Sequence, residues 1–120
     1  MRIPLQITFH GIDHSDAIEE RIREKADKLE QVCDRITRCR VVIEVHHRNT
    51  SSLHRKGEPF HITVNVTVPG AELVVKRDPK DSHVNEDILI ALREAFENME
   101  RQLKDFMTRQ RGESKTRAAL

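Results

Sequence analysis

The sequence predicts an α+β domain of order β-α-β-β-β-α, a four-stranded and mostly antiparallel sheet with two helices packed on one face. Three observations point there. Residues 3–9 and 60–68 alternate apolar and polar side chains, the period of a half-buried strand. Two other segments, one from Asp16 and one from about Val84, repeat their apolar residues every three to four positions, the period of an amphipathic helix. A Pro-Gly pair at 69–70 joins two extended segments where a tight turn is needed.

The first strand rests on Ile3, Leu5, Ile7 and Phe9, and Pro4 near its start suits a strand beginning or an edge position. Ser15 and Asp16 supply helix-start chemistry, and Asp16, Glu19 and Glu20 suit the positive end of a helix dipole. Ile18, Ile22, Ala26, Leu29 and Cys33 then form one apolar stripe, so the first helix is expected to reach about Gln31–Cys33. Val41, Val42, Ile43 and Val45 make the run 40–47 a β-branched second strand, followed by a polar loop over 46–57.

Phe60, Ile62, Val64, Val66 and Val68 mark the third strand most clearly of all. Val68-Pro69-Gly70-Ala71 fits a type II turn, and Leu73–Lys76 returns as the fourth strand. Asp78-Pro79-Lys80-Asp81-Ser82 reads as a linker. Ile88, Leu92, Ala95, Phe96, Met99, Leu103 and Phe106 then share one face of a long second helix. The apolar pattern stops at Met107, so residues 1–107 are expected to form the domain and 108–120 a disordered basic tail.

A chain of 120 residues is long enough for one real core. With 37% hydrophobic and only 3% aromatic residues, and neither Trp nor Tyr, that core must be aliphatic. Platforms for stacking bases are correspondingly scarce, which argues against single-strand binders built on them. The formal net charge of +1 gives no global pull on nucleic acid. Charge is unevenly placed, however: Arg109, Arg111, Lys115 and Arg117 outweigh Glu113 in the tail and leave the body slightly acidic. No segment has the length of a membrane span or the apolar core of a signal peptide, so a cytoplasmic protein with Cys33 and Cys39 as reduced thiols is expected.

No convergent catalytic set emerges, and no enzyme activity, cofactor or small-molecule substrate is expected. A Gly-rich phosphate loop and a Cys-x-x-Cys motif are both missing, and no second cysteine pair completes a zinc site with Cys33 and Cys39. His46, His47, His54 and His61 gather around the long loop in no ligand spacing, so solvated imidazoles are expected rather than a metal site. His10 and His14 flank the first helix as turn residues, and Glu86 and Asp87 suit the first turn of the second helix.

The first helix carries more information. At 100° per residue, Arg21, Lys25 and Lys28 line up beside the apolar face, while Glu20, Glu24 and Asp27 occupy the far side. Such segregation can present cations to a phosphate backbone. An ordinary solvated face with helix-spaced pairs such as Glu24–Lys28 accounts for the same residues about as well. On the second helix, Arg93, Arg101 and Lys104 are interleaved with Glu97 and Glu100, which weakens any comparable reading of that face.

The segment Ala17-Ile18-Glu19-Glu20-Arg21-Ile22-Arg23-Glu24-Lys25-Ala26-Asp27-Lys28-Leu29-Glu30, followed by Asp34-Arg35-Ile36-Thr37, resembles the first helix and second-strand entry of the ribosome hibernation-promoting factor and protein Y family. Val68-Pro69-Gly70-Ala71-Glu72-Leu73 is similar to that family's hairpin, and Glu86-Asp87, Ala91-Leu92 and Glu100-Arg101-Gln102-Leu103 are similar to its second helix. The likeness spans residues 3–107, and the joint order and spacing carry it. It implies a protein that binds the small ribosomal subunit, on ribosomal RNA, in the channel used by messenger and transfer RNA. There it blocks translation during stress or stationary phase. The positions matching the family's basic residues are Lys25, Lys28 and Arg101, with Arg21 and Lys104 as neighbours.

Several positions depart from the family pattern. Asn98, Asp105 and Met107 stand where relatives typically carry lysines, and the loop 46–57 is longer and richer in His and Arg than in short relatives. The chain ends without the second domain of long family members, so pairing of ribosomes through that domain is not expected. An alternative is a regulatory module on the same fold that contacts another protein, such as a sigma factor, or a structured RNA. A third reading, a metal-dependent enzyme built on His46, His47, His54 and His61, lacks an acid or base placed with them.

Overall fold

A computed structural model describes residues 4–45, 60–78 and 87–119, with side chains given up to residue 110. The elements are β1 (Leu5–His10), α1 (Asp16–Val32), β2 (Arg38–Val45), β3 (Phe60–Val68), β4 (Ala71–Arg77) and α2 (Ile88–Ala119). The four strands form one sheet in the order β1-β2-β3-β4. β1 runs parallel to β2, and the other two pairings are antiparallel. A parallel pair needs a long crossover, and α1 provides it. Both helices lie on one face of this mixed sheet, as the sequence predicts.

The core follows from the two periodicities. Cys39, Val41, Ile43 and Val45 of β2 alternate inward and meet Ile62, Val64, Val66 and Val68 of β3. Against them pack Ile22, Ala26 and Leu29 of α1 and Ala91, Leu92, Ala95, Phe96, Met99 and Leu103 of α2. No charged or polar residue is buried among the described residues. Leu5, Ile7 and Phe9 are only half-buried because β1 is an edge strand, with nothing paired on its outer side among the described residues. Pro4 precedes it, and its carbonyl accepts from the Cys39 amide at 3.0 Å.

Local chemistry sets the element ends. Ser15 caps α1, its Oγ accepting from the Ile18 amide at 3.3 Å. At the hairpin Gly70 takes φ +84°, which the third position of a type II turn requires and an L side chain resists. α2 begins at Ile88, later than the apolar pattern suggests, because Asp87 acts as its cap. The Asp87 carboxylate accepts from the Leu89 amide at 2.9 Å, and its carbonyl accepts from Ile90 and Ala91 at 3.0 Å. Asp87 therefore precedes the helix instead of sitting in its first turn.

The other end of α2 has no comparable stop signal. The apolar face does fade at Phe106 and Met107, and Thr108, Arg109 and Gln110 are exposed. The helix continues to Ala119. The segment has no proline, and most of its residues are good helix formers. One glycine, Gly112, costs about 1 kcal/mol relative to alanine, too little to end a helix alone. The histidines 46, 47 and 54, the loop 46–57, and most of the 78–82 linker lie outside the described residues.

Candidate nucleic-acid interface

α1 and α2 pack side by side on the sheet, so one flank of each borders the other. On α1, positions 21, 25 and 28 follow the edge of the apolar stripe made by Ile22, Ala26 and Leu29. Arg21 and Lys28 are exposed and Lys25 is half-buried. The Lys25 ammonium is held below its ordinary pKa of 10.5, first by burial and then by the positive charges of Lys28 and Arg21. Arg93 of α2 pushes in the same direction, and Glu97 opposes it. Two helices therefore bring four cations, Arg21, Lys25, Lys28 and Arg93, into one electrostatic neighbourhood.

These cations differ in how they are tied. Arg21 Nη1 lies 3.8 Å from Glu24 Oε1, a loose exposed pair of little energetic weight. Lys25, Lys28 and Arg93 have no ion-pair partner among the described residues. Lys104 is engaged, with Nζ 3.0 Å from Glu100 Oε2 one turn earlier. Arg101 is oriented by an uncharged group, its Nη1 donating to Asn98 Oδ1 at 2.9 Å. Arg101 stands apart from the four-cation group and lines a cleft between α2 and the end of β4.

Of the five residues singled out by sequence, Arg21, Lys25 and Lys28 thus come together, while Arg101 and Lys104 lie further along α2. Sequence reasoning passed over Arg93 because acidic neighbours surround it along the helix. Its signal was positional: Arg93, Glu97 and Arg101 recur every four residues beside the apolar face. Which flank of α2 abuts α1 is a property of the packed pair, invisible in one helix.

One further group of metal-ligand residue types is close-set, namely His14, Asp16 and Glu19 at the start of α1. His14 Nδ1 lies 3.5 Å from Asp16 Oδ1 and Nε2 lies 3.5 Å from Glu19 Oε1. The two carboxylates address opposite nitrogens of one imidazole, which cannot both ligate one ion. Helix-start charge pairing explains the group. His61 is held differently, with Nδ1 2.8 Å from Asp78 Oδ1.

Residues 5–111 match the family described as Sigma 54 modulation protein / S30EA ribosomal protein. The chain belongs to that family. An 85-residue stretch is 31% identical to the ribosome hibernation promoting factor of Azotobacter vinelandii, covering 71% of this chain and 70% of that protein. The fold is shared with a ribosomal subunit interface protein from Coxiella burnetii, at a TM-score of 0.69 and 17% identity over 88% of this chain and 99% of that one. It is shared too with the N-terminal domain of Thermus thermophilus Protein Y, at a TM-score of 0.63 and 18% identity over 87% of this chain and 99% of that one. Among the described residues, no helix is long and apolar enough to cross a membrane.

Proposed function

We propose that this protein docks on the small ribosomal subunit through the cationic flank of α1 and α2 and occupies the channel for messenger and transfer RNA. It thereby restrains translation in the cytoplasm under stress. The action is binding and steric occlusion, with no chemical step. Arg21, Lys25 and Lys28 provide the leading contacts to ribosomal RNA phosphates, joined by Arg93, with Arg101 and Lys104 further along α2. The observation that carries this reading is the crowding around Lys25. Packing like charges together opposes folding, so a protein that does so gains something from a partner of opposite sign. Family membership and the hibernation factor of Azotobacter vinelandii support the choice of partner.

The test is co-sedimentation with purified ribosomes and isolated subunits as salt rises from about 50 to about 200 mM, a range over which phosphate-mediated binding weakens steeply. Travel with the small subunit at low salt and release at higher salt is expected. Protein that stays at the top of the gradient at every salt refutes the proposal. A second reading, a regulatory module that contacts another protein, draws on the Lys104–Glu100 pair and the mixed charge of α2. Binding of that kind varies little with salt.

A further inference from the structure

The cleft between the outer strand β4 and α2 has a volume of about 370 Å³ and is lined almost wholly by polar side chains. Its three cations, Lys76, Arg77 and Arg101, balance its three carboxylates by formal count, so pairing decides which charges stay available. Two of its three carboxylates are bonded from within the protein. Glu94 Oε1 accepts from Arg77 Nη2 at 2.8 Å and from Arg77 Nε at 3.0 Å. Asp78 holds His61 at 2.8 Å. The third, Glu97, is near enough to Lys25 of α1 to oppose the lowering of its pKa.

Two cations of the same lining are left over. Lys76, on the edge strand, and Arg101, on α2, are both exposed, and neither has an acidic partner among the described residues. The bond from Arg101 to Asn98 steers the guanidinium and leaves its remaining N–H groups unused. The Asn98 amide nitrogen adds two more donors. Lys76 supplies, from β4, the positive charge that Asn98 does not.

We propose that this cleft seats a phosphodiester of the RNA backbone, neutralised by Lys76 and Arg101 and oriented by Asn98. The contact surface then continues from the α1 stripe across α2 to the edge of the sheet. The inference rests on the ribosomal RNA reading above and extends it to a residue, Lys76, outside both helices. Backbone rather than base is the matching group, because the lining has donors in excess and no aromatic ring on which a base could stack.

The experiment measures binding of the full chain to purified small ribosomal subunits over a salt series, comparing wild type with Lys76→Ala, Arg101→Ala and both together. Each single change is expected to lower the slope of log affinity against log salt by about one unit, and the double by about two. Over a fourfold rise in salt, each single variant should then lose about threefold less affinity than wild type. Exposed side chains leave the fold intact, so thermal midpoints should match. Arg35→Ala, an exposed cation beyond the end of α1, controls for net charge, and a loss equal to that of Lys76→Ala overturns the seat. If the cleft variants keep the wild-type slope while Lys25→Glu with Lys28→Glu loses it, the seat is refuted and the α1 reading stands. Wild-type protein that fails to bind at any salt overturns both.

Discussion

Replacing Lys25 with methionine pulls stability and binding in opposite directions. Methionine keeps the length and much of the apolar stem of the lysine, so packing beside Ile22 and Leu29 survives. What disappears is a charge that the fold disfavours, through partial burial first and then through Lys28, Arg21 and Arg93. A base whose folded pKa lies below its ordinary 10.5 weakens the fold fully below the folded value. That penalty fades as pH rises through the folded value toward 10.5, so at neutral pH it is complete. Water reaches much of the side chain and Glu97 offsets part of the repulsion, which limits the gain on removal to about 0.5 kcal/mol. For a domain of this size that raises the thermal midpoint by about 2 °C.

Ribosome affinity should fall in the same variant. One phosphate contact fewer means about threefold less change in affinity between about 50 and about 200 mM salt, together with weaker binding at the low end. The assays are thermal unfolding at neutral pH and co-sedimentation across the salt series. A residue kept for structure lowers the midpoint when replaced and leaves binding alone. A fall of several degrees with an unchanged salt slope would refute the reasoning outright, because it makes Lys25 a packing residue.

Three further outcomes follow from the same contacts. Arg77→Ala should destabilise the protein by about 2 kcal/mol in denaturant unfolding, less than a fully buried pair because water still reaches Glu94; a loss below about 0.5 kcal/mol would show that the tie from β4 to α2 and to the Phe60 carbonyl is idle. Ser15→Ala should cost about 1 kcal/mol through the lost cap on Ile18, with Ser15→Asp close to wild type, and equal losses in both would discard the capping account. Burial pushes the Cys39 thiol up to about 11 from its ordinary 9.0, so stability contributed by the neutral thiol is complete below pH 9.0 and is lost between there and about 11; alkylation of native protein near pH 8 should proceed only as fast as the chain opens, and rapid modification would contradict the burial.

Most of the fold was legible because each element signals itself locally. Alternation over 60–68 needs no knowledge of its neighbours, and Pro69-Gly70 announces a turn that Gly70 then makes at φ +84°. The apolar stripe of α1 similarly identifies Ile22, Ala26 and Leu29 as core before any partner is known. One boundary moved where a second signal overrode the period. Asp87 ends the approach to α2 by capping it, so the helix starts there although the apolar spacing extends further back. At the far end the apolar face and the helix part company. Packing explains where the face stops, and backbone propensity explains why the helix runs on to Ala119.

The candidate interface was half legible for a related reason. Arg21, Lys25 and Lys28 belong to one helix, and a single wheel shows them together. Arg93 and Lys76 become visible only when α2 is laid against α1 and β4, because their relevance depends on which flank of α2 faces which neighbour. The acidic residues between them made α2 look neutral in sequence. In three dimensions Glu100 answers Lys104 and Glu94 answers Arg77, while Glu97 acts on Lys25 of α1. A charge count along a helix cannot perform that assignment. The net charge of +1 is therefore a poor guide to this surface, since Glu94 and Glu100 are paired within the protein while Lys25, Lys28 and Arg93 have no ion-pair partner among the described residues.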